Sequence, residues 1–146
     1  MIYLKIRFKK VKTLNEFIDA IMLRVDVFIK EQKFKPGWEP DEHDKKSTHF
    51  IAIVNKKIVA TLRYREPKKD EIKFERMATK KEFRGKGISS KLLKFAIKNA
   101  KKRKPKKIWA ISQERAKEFW EKNGFKAISK PYKIYGTKHL NMKFNE

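Results

Sequence analysis

A mixed α/β chain, with one mostly antiparallel sheet flanked by helices, is predicted by three features of the sequence. Short β-branched and aromatic runs alternate with runs of helical period. Several strand-like runs are joined by tight turns, which suit antiparallel neighbours. The 146 residues are 40% apolar, with eleven Phe and three Trp, enough for the core of one domain spanning 1–146.

Ile2 to Phe8 alternates as a strand does. Thr13 and Glu16 have capping-box spacing, and Leu14, Phe17, Ile18, Ile21, Met22, Val25 and Phe28 recur at helical intervals, predicting an amphipathic helix from 14 to about 29. Pro36, Gly37 and Pro40 mark a loop from Phe34 to Asp44. Thr48–Val54 and Lys57–Arg65 flank Asn55-Lys56 as a hairpin, and Pro67 to Asp70 turns the chain into a strand at Glu71–Thr79. Ile88, Leu92, Leu93, Ala96, Ile97 and Ala100 form one face of a helix from Gly87 to about Arg103, which Pro105 ends. Lys107 to Ser112 is a short strand, Glu114 to Asn123 a short helix with Gly124 at its C′ position, and Phe125–Ile128 and Thr137–Phe144 close the sheet.

The formal charge of +23 attracts anions, nucleic acid and phosphorylated coenzymes included. Lysines are spread over nearly every segment and are not interleaved with an aromatic stacking platform, so nucleic-acid binding ranks below other roles. The absence of Cys excludes disulfides, thiolate zinc sites and a cysteine nucleophile. No apolar run nears the ~20 residues needed to cross a bilayer. A soluble, cytoplasmic protein without membrane association is the simplest expectation.

Arg84-Gly85-Lys86-Gly87-Ile88-Ser89 lies between a strand and a helix and holds two of the five glycines. Such a turn directs backbone N–H groups outward at the positive end of a helix, where a diphosphate is held. An anionic nucleotide or coenzyme is the ligand it suits.

That segment resembles the Arg-x-x-Gly-x-Gly/Ala signature of the GNAT superfamily of acyl-CoA-dependent N-acetyltransferases, with Ser89 where the family has Gly or Ala. Ala116-Lys117-Glu118-Phe119-Trp120-Glu121-Lys122-Asn123-Gly124-Phe125 resembles a second GNAT phrase, A-x-x-F-Y-E-K-x-G-F. Arg24 to Gln32, Asp41-x-x-Asp44 before Thr48-His49-Phe50, and His139-Leu140-Asn141-Met142 resemble the ElaA-type branch.

The resemblance implies a sheet whose central strands, Glu71–Thr79 and Lys107–Ser112, splay apart around acetyl-CoA as cosubstrate. Backbone groups of Met77, Ala78 and Thr79 would pair with the pantetheine arm. Those of Arg84 to Ser89, with Ser90, would hold the diphosphate. Gln113 stands where the family has an Asn that reaches the pantetheine; Phe119 and Lys122 would line the nucleotide end, with core packing an equal reading for Phe119. The reaction implied is acetyl transfer to a primary amine by direct attack in a ternary complex, as no cysteine can carry the acyl group.

Catalytic residues are less determined. Trp120 replaces the Tyr that commonly serves as general acid, and an indole N–H has no useful acidity near neutrality. Tyr135, Tyr132 or water is the alternative donor. Glu75 is a candidate base; because neighbours on a strand face opposite sides, only one of Glu75 and Arg76 is expected to face the site. The loop carboxylates Glu39, Asp41, Glu42 and Asp44, with His43 and His49, would suit a cationic acceptor or serve as partners for local basic residues; their spacing matches no metal signature. His139 completes the candidates. Homodimers are common among such domains. The rivals are a nucleic-acid-binding module or a coenzyme-A sensor on a catalytically inactive GNAT scaffold.

Overall fold

The computed structural model describes residues 5–145. One sheet carries eight strands, β1 (Ile6–Lys10), β2 (Thr48–Val54), β3 (Lys57–Arg65), β4 (Glu71–Thr79), β5 (Lys107–Gln113), β6 (Phe125–Ala127), β7 (Tyr132–Ile134) and β8 (Thr137–Phe144). Their order is β1-β2-β3-β4-β5-β8-β6, with β7 also paired to β8. Every pair is antiparallel except β4 with β5. That parallel pair needs a crossover, and helix α2 (Ile88–Lys101) supplies it. The first expected strand lies partly outside the described residues; from Ile6 it runs on to Lys10.

Helix α1 (Leu14–Arg24) opens with the expected capping box: the Thr13 side chain accepts from the Glu16 N–H at 3.1 Å, and Glu16 Oε1 accepts from the Thr13 N–H at 3.1 Å. It widens into a π-helical segment over Val25–Glu31, so the helical path outlasts the α-helix proper. Its buried face differs from the expected stripe. Leu14, Ile18 and Met22 are exposed, while Ala20, Leu23, Arg24, Val27 and Phe28 are buried. The helix is rotated because Arg24 is drawn inward by carboxylates, a force that apolar periodicity does not register.

Helix α2 buries the six apolar residues expected of it against Phe50, Leu62, Tyr64, Ile72 and Phe74. On the other side of the sheet a smaller cluster joins Leu23, Val27 and Phe28 to Ala78, with Phe34 and Trp38 packed on it. The short helix after β5 is a 3-10 turn followed by α3 (Lys117–Lys122), and Gly124 follows with φ +89°. Strand β7 lacks an apolar run of its own; it exists as the partner of β8.

Candidate functional site

The register of β4 builds the site. It pairs with β5 only from Glu71 with Lys107 to Phe74 with Ala110. Beyond Phe74 the strands part, β4 staying with β3 and β5 with β8. The facing edges of Glu75–Thr79 and Ile111–Gln113 are therefore unpaired with each other, and such edges readily accept an added strand-like chain.

A second irregularity lies on the same strand. Arg63 is paired with Glu75 and Thr61 with Ala78, so Leu62 alone opposes both Arg76 and Met77. This is a β-bulge, and Arg76 takes φ +56° within it. The bulge corrects the expectation that only one of Glu75 and Arg76 faces the site. Asp41 bonds both Arg63, at 2.6 Å, and Arg76, at 3.1 Å, so Arg76 shares the side of the sheet on which Glu75 meets Arg63. The extra residue resets the strand's two-residue alternation.

Between the parted strands lies an inner cavity of about 360 Å³. Met77, Ala78, Thr79, Ser89, Gln113, Phe119 and Trp120 line it. An outer cavity of about 560 Å³ lies toward the 34–43 loop and the β7–β8 hairpin. The titratable side chains lining both are Glu75, Arg76 and His139.

At the inner end, Arg84 to Gly87 form the turn before α2. Gly85 and Gly87 have φ +76° and +77°, and a Cβ on either would meet nothing within 4 Å. Backbone conformation, not crowding, selects glycine here, and the space beside both is open. The first intrahelical amide bond runs from the Lys91 N–H to the Gly87 carbonyl, 3.1 Å, so earlier amides have no acceptor four residues back. Ile88 fixes the turn by burying its side chain. Ser89 ties it to β4 through Thr79, 2.6 Å between hydroxyls, and Ser90 accepts from Asn123 at 3.1 Å. Small, hydroxyl-bearing Ser89 thus fills the position where the motif has Gly or Ala. Arg84 Nε donates to the Thr79 carbonyl, 3.0 Å, and its guanidinium bonds Glu31 at the cavity mouth. Lys86 is exposed, its ammonium 5.9 Å from the Phe83 ring.

Gln113 donates to Gln32 at 3.1 Å and accepts from Arg115 at 2.6 Å. Phe119 packs edge-on against Trp120, which is buried and packs edge-on against Phe125 at 4.9 Å. Both are cavity wall and core at once. Lys122 is exposed on α3 and lines none of these cavities. Tyr135, 74% exposed, stands at the hairpin tip with its edge on Trp38 and lines the outer cavity, not the inner one. The Tyr132 hydroxyl donates to Asn141 Oδ1 at 2.5 Å, away from these cavities.

His139 and Glu75 differ in kind. His139 Nδ1 lies 2.7 Å from the Thr137 carbonyl oxygen. A carbonyl can only accept, so in the neutral ring Nδ1 holds the hydrogen and Nε2 is the basic nitrogen. Burial alone would raise the Glu75 carboxyl, but the hydrogen bond from Arg65 and the charges of Lys73 and Arg63 outweigh it and hold the group at about 2. Glu75 is a fixed anion rather than a proton acceptor at neutral pH.

The loop carboxylates turn inward. Arg24 bonds Asp44 at 2.8 Å and also Glu39; Arg63 bonds Asp44 at 2.7 Å; Arg76 pairs with Glu39 at 2.7 Å. Arg24, Arg63, Glu39 and Asp44 are all buried. His49 donates from Nε2 to the Asp44 carbonyl, 3.0 Å, and braces the loop rather than the cavity. Glu39, Asp41 and Asp44 are therefore partners of local arginines, while Glu42 stays exposed at the outer cavity. Sequence reasoning missed two cavity residues on it, Phe34 and Trp38, whose rings stack 5.1 Å apart with the Arg76 guanidinium 4.9 Å from Trp38. Two aromatics flanking Pro36-Gly37 were the available signal.

The model of the acetyltransferase (GNAT) domain matches residues 14–146. The chain belongs to the GNAT acetyltransferase family. It is 30% identical to the uncharacterized N-acetyltransferase YjcF of Bacillus subtilis (strain 168), over 90% of this chain and 94% of the relative. Among solved structures it is similar to Escherichia coli ElaA, with TM-score 0.87 at 18% identity, covering 97% of this chain and 100% of that one. A GNAT family acetyltransferase from Elizabethkingia anophelis with acetyl-CoA bound superposes at TM-score 0.70 and 15% identity, covering 97% and 98%. These likenesses bear out the GNAT fold and family expected from the two motifs. No helix among the described residues is long and apolar enough to cross a membrane.

Proposed function

We propose that this GNAT protein moves an acetyl group from acetyl-CoA to a primary amine by direct attack in a ternary complex. The observation that carries the reading is the parting of β4 and β5 after Phe74 and Ala110, with the glycine turn of α2 at one end and His139 at the other. The pantetheine arm adds to the free edge at Met77–Thr79, and amides of the 84–90 segment hold the diphosphate. The acetyl-CoA bound to the Elizabethkingia anophelis neighbour supports this ligand class.

In the proposed chemistry, His139 Nε2 takes a proton from the acceptor ammonium. The neutral amine attacks the thioester carbonyl carbon, and an N–H of the Met77–Thr79 backbone stabilises the oxyanion. Collapse breaks the C–S bond, expels the thiolate and passes the remaining proton of the attacking nitrogen to water, leaving the neutral amide. The His139 imidazolium returns a proton to that sulfur. One residue thus acts as base and acid, and Trp120 serves as pocket wall. Tyr135 at the outer mouth contacts the acceptor instead of the sulfur.

Thermal shift with acetyl-CoA, coenzyme A and ATP tests the binding, and thiol release with an amine panel tests turnover. Stabilisation by both coenzyme forms and amine-dependent thiol release are expected. Equal stabilisation by ATP, or coenzyme binding without release for any amine, would favour a sensor or an inactive scaffold.

A further inference from the structure

The floor of the outer cavity is short of negative charge. Arg24, Arg63 and Arg76 are matched by Glu39, Asp41 and Asp44 in the buried network. Next to it, Arg65 and Lys73 line the cavity and share a single carboxylate, Glu75, at 2.7 and 2.9 Å. Glu75 also serves Arg63, at 3.0 Å. The side chains of Arg65 and Lys73 are only 19% and 12% exposed, so water screens them weakly. Beyond them the row continues to Trp109, which register places beside Lys73. The Lys73 and Lys107 ammonium groups lie 5.1 and 5.0 Å from its ring, and among the described residues Lys107 has no carboxylate within ion-pair distance. The remaining acid of this cavity, Glu42, stands at the rim, 86% exposed and 3.7 Å from His43.

We propose, on the basis of the transferase reading above, that the acceptor amine carries an anionic group, a carboxylate or phosphate, and that Arg65 and Lys73 receive it. Lys73 lies four residues before Met77 on β4, roughly 10–13 Å along an extended strand. The acid and the amine of the acceptor are therefore separated by several bonds. An α-amino acid, whose two groups sit side by side, is too short to reach both. A guanidinium fork and an ammonium on one floor are the pairing that recognises carboxylate or phosphate oxygens.

The test compares 6-aminohexanoate, 6-aminohexyl phosphate, glycine and hexylamine as acceptors with the intact protein and acetyl-CoA. We expect kcat/KM for one or both long anionic amines to exceed that for hexylamine and glycine about tenfold or more. Salt should erode the advantage over hexylamine through KM. Whether carboxylate or phosphate is favoured is read from the first two arms. In an Arg65→Gln/Lys73→Gln double variant the ratio to hexylamine should fall toward one, while the acetyl-CoA melting shift persists. Lys73→Arg, which keeps the charge, should keep the preference. Melting shifts of the coenzyme-A complex with the same four amines give the ranking independently of turnover. Hexylamine equal to the long anionic amines in both measurements, or a preference surviving in the double variant, would overturn the inference. A protein that ignores acetyl-CoA altogether would instead remove the transferase reading.

Discussion

His139, fixed through Nδ1 to the Thr137 carbonyl, lines both cavities, and Glu75, which lines them too, is committed to three cations. A proton-transfer role is worth about 10²–10⁴-fold in rate. His139→Gln should therefore lower kcat/KM for amines by at least a hundredfold while the acetyl-CoA melting shift is retained; rates within threefold of the parent protein would exclude His139 as base. The sequence displayed the two candidates without ranking them. Their difference arises from Arg63, Arg65 and Lys73, which reach Glu75 from its own strand and the neighbouring one. Trp120 shows the same limit, for its identity was plain but its burial against Phe125 depends on α3 meeting β6.

Among the elements, the turn before α2 is the most demanding of residue type. Gly87 stands at φ +77°, where any side chain is strained, and a carboxylate there would repel a diphosphate. Gly87→Glu should fold, with α2 still buried, and lose the acetyl-CoA melting shift; an undiminished shift would move the phosphate site elsewhere. Acid should loosen the contacts that join α1, the 36–44 loop, β3 and β4. Glu75 is held at about 2, and Asp41 and Asp44 are also lowered: burial opposes this, but the Arg63 and Arg24 hydrogen bonds prevail. Groups with lowered folded pKa values stabilise above their unfolded values and lose that contribution as pH falls. Glu39, raised chiefly by burial, runs the other way. Melting temperature should decline as pH drops from about 4.5 toward 2; a flat profile in circular dichroism would contradict the ionic core. The major strands and α2 were legible because apolar period and turn residues are local. The bulge at Arg76, the rotation of α1 and strand β7 were not, because each is settled by a partner distant in sequence.

At the scale of the whole molecule, the +23 charge lies on the exterior. Glu39, Asp41 and Asp44 turn toward Arg24, Arg63 and Arg76 inside, so that network is balanced and the excess of cations is left outside it. A basic exterior draws in a polyphosphate coenzyme through long-range attraction that salt screens. The Kd for acetyl-CoA should rise roughly several-fold between 50 and 500 mM salt, measured by calorimetry; salt-independent binding would assign recognition to the turn alone. The glycine turn before α2 and the short helix after β5 were readable from the two motifs, since backbone geometry follows glycine placement. The acceptor side was not, since its walls come from the 34–43 loop, β3, β4 and the β7–β8 hairpin.

One supernumerary residue opposite Leu62 also has consequences for how this enzyme family member can change. Replacing Lys73 or Glu75 would alter the lining of the outer cavity without turning Ala78 or Thr79 out of place, because these stay paired with Thr61 and Ala60. Deleting Arg76 would remove the bulge while Ala78 stays opposite Thr61, and would take with it the guanidinium that Glu39 and Asp41 bond. On the proposed reading, the acceptor side can change at Lys73 or Glu75 while the segment assigned to the coenzyme keeps its register, and loss of residue 76 would be felt in the ionic core rather than along the rest of the strand.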